Sequence, residues 1–353
     1  MLQFRKIDNK KEWQELLNKA LFKTFFHNLR WEEFLEKTFK WLKFEHFLYK
    51  DEILLSFAKY KVFGKEKLIS HPFCEYGGPL PLKEDIDGRE FRENLFSEFQ
   101  NQFKISFHPH IPKYFKGLAL KEPDSSRDTY FIENLDQKSE EEIYSSFRKT
   151  LRHSIKKAKK GNLEIKKCES GKEVKDFYNL YVRIIKRHKT LAYPFSLFQH
   201  FFNSPHCEII LAKFENKIIA GSVFLFYPVR DSEDNQRPQR EQISNGVYNK
   251  FIHYFLNASD LKYRGENANH LILWTQIQKY IGKDYHTFDL GGTRRGSALE
   301  IFKKGWGAKR YPIFELRNYP EEKFKKSKLR NIFRILPSFL IREISSYLLK
   351  YKL

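Results

Sequence analysis

The chain has 353 residues, enough for about two domains at roughly 150 residues each. With 41% hydrophobic and 17% aromatic residues it can bury a large core, which excludes an intrinsically disordered chain despite a net charge of +21. Glycine and proline are too scarce for a collagen-like or linker-dominated chain, and the longest apolar stretch, 218–229, is too short to span a bilayer. Because the sequence is charged from its first residues, we expect a globular protein without a signal peptide.

The positive charge is concentrated in two segments. Residues 148–167 hold nine Lys or Arg and one acid, residues 321–353 hold nine against three acids, and together they carry 14 of the 21 net charges. Such clusters favour a polyanionic partner, either a nucleic acid, a phosphorylated metabolite or an anionic membrane face. The alternative is a solvated surface, which is the more common role of a run of charges.

The three cysteines, Cys74, Cys168 and Cys207, are odd in number and far apart, without a C-x-x-C pair. Neither a disulfide framework nor a zinc ribbon fits this spacing, and a reducing cytoplasm is the natural compartment. His108 and His110 have no acid or third ligand at helical spacing, so we interpret them as a loop feature. We expect no metal and no cofactor.

The first half alternates between helical and strand-like periodicity. Apolar spacing and turn residues predict, in order, helices over 10–20 and 30–42, a hairpin over 44–64 with a charged turn at 50–52, a glycine-marked segment at 72–80, a helix over about 88–103 and a strand near 127–133.

The second half repeats this design after a long helix, 139–160. Ser139 and Glu142 fit a capping box at its start, and its charge runs from acidic to basic along the helix dipole. The same signals then predict a strand at 163–169, a helix at 171–188, a hairpin over 208–228 with a polar turn at 215–217, a mobile polar excursion within 228–246, a helix over about 267–281 and a strand ending in Gly-Gly at 288–292.

Each half therefore contains helices, a hairpin and a Gly-Gly segment, and this shared order indicates a duplicated α/β unit. We predict a first domain over 1–140, a second over 141–320 and a basic amphipathic tail over 321–353. The alternative is an ordinary α+β protein in which hairpins and glycine pairs simply recur. The apolar face of the tail suits either packing on the first domain or peripheral attachment to an anionic membrane.

Five segments stand out when they are taken in chain order: PFCEYGGPL (72–80), FRKTLRHSIKKAKK (147–160), FYNLYVRIIKRH (177–188), KIIAGSVFLF (217–226) and FDLGGTRRGSALEIFKKGWG (288–307). Together they resemble the Fem-type (FemA/FemB/FemX-like) transferases of peptidoglycan bridge formation and the related GNAT-like acetyltransferase fold. The resemblance covers most of residues 1–320, and the last segment is its most specific part.

The resemblance implies an α/β (α+β) chain of two tandem GNAT-like domains, with mixed sheets flanked by helices and the C-terminal tail returning to the first domain. It also implies a transferase that takes an aminoacyl group from a charged tRNA and passes it to an amine of a pyrophosphate-bearing cell-wall precursor. We expect such an enzyme in the cytoplasm, with peripheral contact at the inner membrane face.

Aminolysis of an activated ester requires a positioned neutral amine, stabilisation of the developing oxyanion and departure of a proton. The resemblance assigns the oxyanion to a Phe-Lys pair, which here is Phe302 and Lys303. We expect the Lys303 ammonium to stabilise the negative charge and Phe302 to pack beside it. The alternative is that Lys303 is a solvated lysine like its neighbours.

The resemblance assigns four further residues to the acceptor. Arg187 and His188 lie on the family's arginine-bearing helix, and an arginine suits phosphate oxygens, although cations also favour a helix C-terminus for its dipole. Tyr76 is expected to line the substrate cleft, unless it is a core residue. Asp289 is expected to orient a substrate amine, unless it only caps the glycine turn.

A basic helix face is the candidate for gripping the tRNA backbone. Each phosphate neutralised steepens the salt dependence of binding by about 0.9 in log–log slope on duplex nucleic acid and less on single strands. The candidate residues on this face are Arg148, Arg152, Lys156 and Lys157.

Two other functions stay open at this point. An acyl-coenzyme A-dependent N-acyltransferase would decorate a surface polysaccharide or lipid, but Thr293 occupies the first position of the R/Q-x-x-G-x-G/A loop near Gly296 and Ala298. A non-catalytic module would bind nucleic acid or membrane through its basic patches. No sustained heptad of a coiled-coil arm is present, so the tRNA donor follows from the resemblance alone.

Overall fold

The computed structural model describes residues 3–120, 127–227, 250–320, 337–351 and 353. The predicted excursion within 228–246 and the first part of the predicted tail lie outside these residues. Within the described ranges, the chain forms two seven-stranded sheets and one small two-stranded sheet, with helices packed around them.

The first sheet is built mainly from the N-terminal half of the chain. Its strands are β1 (Phe4–Ile7), β2 (Lys43–Tyr49), β3 (Ile53–Val62), β4 (Lys65–Ile69), β5 (Leu80–Pro81), β7 (Gln102–Ser106) and β16 (Glu315–Arg317), while β6 (Ile86–Asp87) and β8 (Phe115–Lys116) form the separate small sheet. The order is β1-β2-β3-β4-β7-β16, with β5 paired to β3. Within this seven-stranded sheet only β4 and β7 pair in parallel among the described strands, and β6 and β8 of the small sheet are also parallel.

The second sheet follows the same plan in the C-terminal half. Its strands are β9 (Arg127–Glu133), β10 (Leu163–Lys167), β11 (Cys207–Phe214), β12 (Lys217–Tyr227), β13 (Phe251–Ser259), β14 (Thr287–Arg294) and β15 (Lys309–Pro312). The order is β10-β11-β12-β13-β14-β9-β15. Again one pair is parallel, β13 with β14, and the described remainder is antiparallel.

Most helices follow the predicted amphipathic segments, whereas the helix over Phe195–Asn203 was not predicted, and both predicted hairpins are confirmed as β2–β3 and β11–β12. The predicted capping box at the start of the fourth helix is also confirmed. The helices are α1 (Lys10–Lys19), α2 (Leu29–Thr38), α3 (Gly88–Glu98), α4 (Glu140–Ser145), α5 (Lys149–Lys160), α6 (Gly171–Arg187), α7 (Phe195–Asn203), α8 (Ala268–Tyr280), α9 (Ala298–Lys304) and α10 (Ser338–Leu348).

Three predicted helices are too long, and the first of them, 30–42, ends at Thr38 as α2. The segment 139–160 forms α4 and α5 as separate helices, because Arg148 has an extended backbone with φ −56° and ψ 141°. The break buries Phe147 against Trp274 and Trp306, with ring centroids 5.3 and 5.0 Å away. The predicted helix 88–103 ends early because its last residues belong to β7.

The two sheets exchange strands at their edges. β9 precedes the second half in sequence, yet it lies between β14 and β15 of the second sheet. β16 lies within the predicted second domain, yet it pairs with β7 of the first sheet. The sheets therefore do not coincide with the predicted ranges 1–140 and 141–320, and neither sheet can be completed by one half alone.

An aromatic cluster joins the two sheets. Phe131 of β9 and Phe251 of β13 lie 5.9 Å apart, and His108 from the first half stacks on Phe131 at 5.6 Å. Phe22 meets Phe251 edge-on at 5.9 Å. These contacts hold loops of the first half against the second sheet, close to the candidate site.

The described part of the tail packs on both halves. The Ala192 backbone N–H donates to the Ser345 hydroxyl at 3.1 Å, and Ile341 and Leu349 are buried. α10 contacts α6, and the 3₁₀ turn Leu349–Tyr351 contacts β3 of the first sheet. Among the described residues, every helix is too short or too polar to traverse a bilayer.

Candidate active site

Each seven-stranded sheet contains one described pair of parallel strands whose pairing stops after three residue pairs. In the first sheet β4 and β7 pair as far as Ile69 and Lys104, and in the second β13 and β14 pair as far as His253 and Asp289. Beyond these positions the regular strand pairing of each pair ends. Openings at the carboxyl ends of parallel strands are common ligand sites, so each half offers one candidate position.

The first opening is filled by the chain itself, through residues 72–79, which we call the glycine loop. The Gly77 N–H donates to Ser106 O at 3.0 Å, and a Cβ on Gly77 would lie 2.0 Å from Ser70 O. A Cβ on Gly78 would lie 2.8 Å from Ser106 O. Backbone packs directly on backbone here, so only glycine fits, and the loop projects its neighbouring side chains towards the second opening.

Asp289 anchors the second opening. Its Oδ1 accepts hydrogen bonds from the Gly291 N–H at 2.7 Å, the Thr129 hydroxyl at 2.8 Å and the Tyr76 hydroxyl at 3.4 Å. Its Oδ2 lies 2.6 Å from His253 Nδ1, and all these side chains are buried. Because the donors come from β9, β13, β14 and the glycine loop, this one carboxylate connects both halves of the chain.

His253 lies between two carboxylates. Glu75 of the glycine loop places Oε2 at 3.3 Å from His253 Nε2, an ion pair without hydrogen-bond geometry, while its Oε1 accepts from the Gly292 N–H at 3.3 Å. Burial alone would lower the pKa of His253, but the charges of Asp289 and Glu75 outweigh it and raise that pKa well above its ordinary value. The imidazole is therefore a cation at neutral pH and not a general base.

Lys303 of α9 supplies the second buried cation. Its side chain points inward with the residue only 3% exposed, and Nζ donates to Gly291 O at 2.6 Å and to Gly292 O at 3.0 Å. Burial lowers the pKa of Lys303 to about 8, against the opposing effect of the Glu75 and Asp289 charges. An ammonium has three N–H donors, so one remains for a ligand beyond the two carbonyls.

Glu75 gives the site a pH-dependent contribution to stability. Burial alone would raise its pKa, but His253, Arg127 and Lys303 outweigh burial and lower it from 4.5 to about 2. The charged form therefore stabilises the fold above pH 4.5, and this contribution is lost as the pH falls towards 2. We expect Glu75→Gln to lower the free energy of unfolding by about 1–3 kcal/mol at pH 7.

Urea unfolding at pH 3 and at pH 7 checks this expectation. The difference between wild type and Glu75→Gln should shrink as the pH falls from about 4.5 towards 2, because the wild-type carboxylate then gains a proton. A difference of equal size at both pH values would contradict the ion-pair interpretation of Glu75.

Phe302 has well-defined neighbours on α9, and its expected packing beside the Lys303 ammonium stays a prediction. Its ring contacts His270 at 5.5 Å and Trp306 at 6.1 Å between ring centroids. There it lines a cavity of about 200 Å³ between α5, α8 and α9. The other residues around this cavity are Arg148, Thr150, Leu151, Ser154, His270 and Gly305.

The chemistry of this cavity combines a cation, hydroxyls and an aromatic wall. Arg148 Nε donates to the Thr150 hydroxyl at 2.9 Å, and α5 begins here without a side-chain cap for its first N–H groups. His270 Nδ1 is buried with no hydrogen-bond partner among the described residues. A phosphate or a nucleotide base is the kind of group that such an arrangement holds.

The structure brings together three of the residues selected from the sequence and leaves others apart. Lys303, Asp289 and Tyr76 meet at the second opening. Along α5, Lys156 and Lys157 are exposed and Arg152 is half-buried. At the end of α6, Arg187 and His188 are exposed. In the described chain they make no hydrogen bond or ring contact with the residues around Asp289, so their acceptor-binding role stays a prediction.

Sequence reasoning missed His253 and Glu75. The available signal was a charged residue in an otherwise apolar setting: Glu75 directly precedes Tyr76 in the glycine loop, and His253 follows Ile252 inside a buried strand. Both residues obtain their chemistry from partners far away in the sequence, which no local pattern reveals.

Comparison with solved structures shows which fold this is. The chain is similar to FemX, with a TM-score of 0.56 and 12% sequence identity over 89% of this chain and 97% of that one. The chain shares the FemX fold. This confirms the predicted fold class, mixed α/β with two GNAT-like units whose sheets are flanked by helices.

Two further structures have the same fold. L-PGS from Bacillus licheniformis aligns with a TM-score of 0.51 and 12% identity over 94% of this chain and 97% of that one. A conserved protein of unknown function from Bacteroides thetaiotaomicron aligns with a TM-score of 0.52 and 10% identity over 89% and 98%. No protein-family model and no curated protein matches the sequence.

Proposed function

We propose that the protein is an acyltransferase that moves an aminoacyl group from a charged tRNA to an amine of a peptidoglycan or other cell-envelope precursor. The observation that carries this proposal is the buried Lys303 ammonium, with two N–H groups held by the Gly291 and Gly292 carbonyls and the third unused by the described residues. The FemX fold and the resemblance of the site segments to the Fem-type transferases support it.

The third N–H of Lys303 suits a developing oxyanion. When an amine attacks an ester carbonyl, negative charge appears on the carbonyl oxygen only during the reaction. A fixed cation in a site that excludes water stabilises that charge without having to reorganise. The two hydrogen bonds to these carbonyls fix the position of Nζ, and burial shields it from water.

The acceptor amine has a complementary partner in Glu75. Its Oε2 is buried without a hydrogen-bond partner among the described residues, and its lowered pKa keeps it negative at neutral pH. We propose that Glu75 Oε2 accepts a hydrogen bond from the amine N–H and so orients the amine. The new C–N bond forms as the ester C–O bond breaks, and the proton lost by the amine ends on the leaving ribose hydroxyl.

We assign the donor to the cavity on the other side of α9. Phe302 and Arg148 offer an aromatic surface and a cation, and the exposed cations of α5, Lys156 and Lys157, continue along the same helix. Neighbouring residues of α9 thus face the donor cavity and the oxyanion position. An acyl-coenzyme A donor would use the same chemistry at Lys303.

The acceptor and the location follow from the same proposal. We infer a precursor with a sugar-linked pyrophosphate, with Arg187 and His188 as candidate phosphate ligands. A charged tRNA is a cytoplasmic donor, so we place the reaction in the cytoplasm, at the inner face of the membrane when the acceptor is lipid-linked.

The donor assay tests this proposal. We expect label from a mixture of charged tRNAs to appear on an envelope-precursor amine, and none to be transferred from acetyl-coenzyme A. Transfer from acetyl-coenzyme A alone would replace the tRNA proposal by the coenzyme A alternative. Transfer from neither donor over a panel of envelope amines would indicate a non-catalytic binding module.

A variant at the donor cavity sharpens the assay. We expect Arg148→Ala to raise KM for charged tRNA about tenfold and to reduce the log–log salt slope of tRNA binding by about 0.7–0.9, as for one lost phosphate contact. The control Lys11→Ala removes an exposed cation of α1 and should leave both values unchanged. Equal effects of the two variants would contradict a specific donor site at α5.

A further inference from the structure

Phe63 is the most exposed of the large hydrophobic residues that the structure describes, at 87%. It lies at the tip of the hairpin between β3 and β4, where Val62 pairs with Lys65 and only two residues make the turn. A phenylalanine that protrudes into water contributes nothing to the core of the first sheet.

The backbone at this tip disfavours the residue that occupies it. Phe63 has φ 50° and Gly64 has φ 77°, so both turn residues are in the left-handed region. Two-residue hairpin turns of this kind strongly favour Asn-Gly, and a bulky side chain in the left-handed region is strained. The tip therefore carries an aromatic side chain at the expense of turn stability, which points to a role outside the fold.

Two other hairpin turns in the chain provide an internal comparison. They too have consecutive residues with positive φ, and at both turns these residues are polar and exposed: Lys50 and Asp51 between β2 and β3, and Glu215 and Asn216 between β11 and β12. Only the β3–β4 turn carries an aromatic residue among these three.

The end of the tail adds further aromatic residues to the same place. The ring of Tyr351 lies 5.3 Å from that of Phe63, and Lys350 Nζ lies 5.1 Å from the Tyr351 ring and 4.1 Å from the Tyr347 ring. Tyr347 is 58% exposed. We call Phe63, Tyr347 and Tyr351 the aromatic tip.

Positive charge surrounds the aromatic tip. Lys61 and Lys65 flank Phe63 on the hairpin, both are exposed, and neither has an ion-pair partner in the described part of the chain. Lys350 lies over the two tyrosine rings. Aromatic side chains that are ringed by lysines are typical of the interface between lipid headgroups and acyl chains.

We propose that the aromatic tip is a docking site for an anionic membrane surface, with Phe63 inserted below the headgroups and the lysines against the lipid phosphates. A nucleic acid is the less suitable occupant, because successive bases stack on several open rings, whereas Lys350 lies over one face of each tyrosine ring and leaves Phe63 as the most exposed ring of the aromatic tip. This inference concerns attachment of the protein and does not depend on the proposed transfer reaction.

The decisive variant is Phe63→Asn, tested in the full chain. Asn is the residue that this turn favours, so the variant should melt at the wild-type temperature or above it. We expect wild type to sediment with vesicles containing phosphatidylglycerol, and much less with phosphatidylcholine vesicles. Phe63→Asn should weaken the binding to phosphatidylglycerol vesicles about tenfold, as expected for one aromatic side chain withdrawn from an apolar environment.

The matched control is Glu215→Asn, which places the same new residue at the same kind of turn in the second sheet. It should leave vesicle binding unchanged or slightly stronger. Wild-type vesicle binding by Phe63→Asn, or no vesicle binding by the wild type, would overturn the proposal. Loss of RNA binding in Phe63→Asn, with vesicle binding unchanged, would assign the aromatic tip to nucleic acid instead.

Discussion

Replacement of Lys303 by methionine is expected to lower kcat/KM for transfer by about 100- to 1000-fold, the usual effect of removing one oxyanion donor. Methionine has a similar length and stays apolar in the buried position, so the protein should remain folded. The ammonium would be lost from beside the Gly291 and Gly292 carbonyls, and nothing else in the described cluster can replace a donor at that point. Steady-state kinetics together with a thermal melt measure both parts of this expectation.

The next residue in the chain provides the control. Lys304 has the same charge but is exposed on α9, where it pairs with Glu300 at 2.7 Å. Lys304→Met should keep kcat/KM within about twofold of wild type, since the Lys304 side chain is exposed and makes no contact with Asp289, His253 or the Gly291 and Gly292 carbonyls in the described chain. If Lys303→Met and Lys304→Met were equally active, the assignment of the oxyanion to Lys303 would be wrong.

The glycine loop should show the largest effect on stability. Gly77→Ala places a Cβ 2.0 Å from Ser70 O, a backbone atom that cannot move aside without disturbing β4. We expect a loss of about 3 kcal/mol or more in the free energy of unfolding, together with loss of transfer. Transfer is lost because the displaced loop carries Glu75 and Tyr76 away from His253 and Asp289. Urea unfolding and the transfer assay measure the two effects.

Gly171→Ala is the matched control for this variant. Gly171 is the first residue of α6, and a Cβ there would meet nothing within 4 Å. Alanine also has the higher helix propensity, so stability should be unchanged or slightly raised. Wild-type stability of Gly77→Ala would mean that the loop does not fill the first opening.

The parts of the fold that follow from local patterns could be predicted from the sequence. Both hairpins follow from alternation around a polar turn, and α6 follows from apolar spacing. Lys303 was selected through the resemblance to the Fem-type transferases. Its burial depends on the packing of α9 against β14, which is a property of the fold and not of the local sequence. The neighbouring cations Lys304, Lys309 and Arg310 look the same in the sequence, so the pattern gave no sign of which side chain turns inward.

The rest depends on contacts between residues that are far apart in the chain. The exchange of β9 and β16 between the sheets cannot be read from either strand, because each looks like any short strand. The break at Arg148 follows from burial of Phe147 against distant tryptophans and not from a helix-breaking residue. The pairing of Glu75 with His253 and Asp289 likewise exists only after the glycine loop fills the first opening.

The pH dependence of transfer tests the role of Lys303 most directly. The rate of single-turnover transfer, divided by the fraction of acceptor amine that is neutral, should be constant below about pH 8 and fall about tenfold per pH unit above it. The reason is that burial lowers the pKa of Lys303 to about 8, and the cation that stabilises the oxyanion disappears above that pH. A corrected rate that stays constant up to about pH 10 would contradict the account.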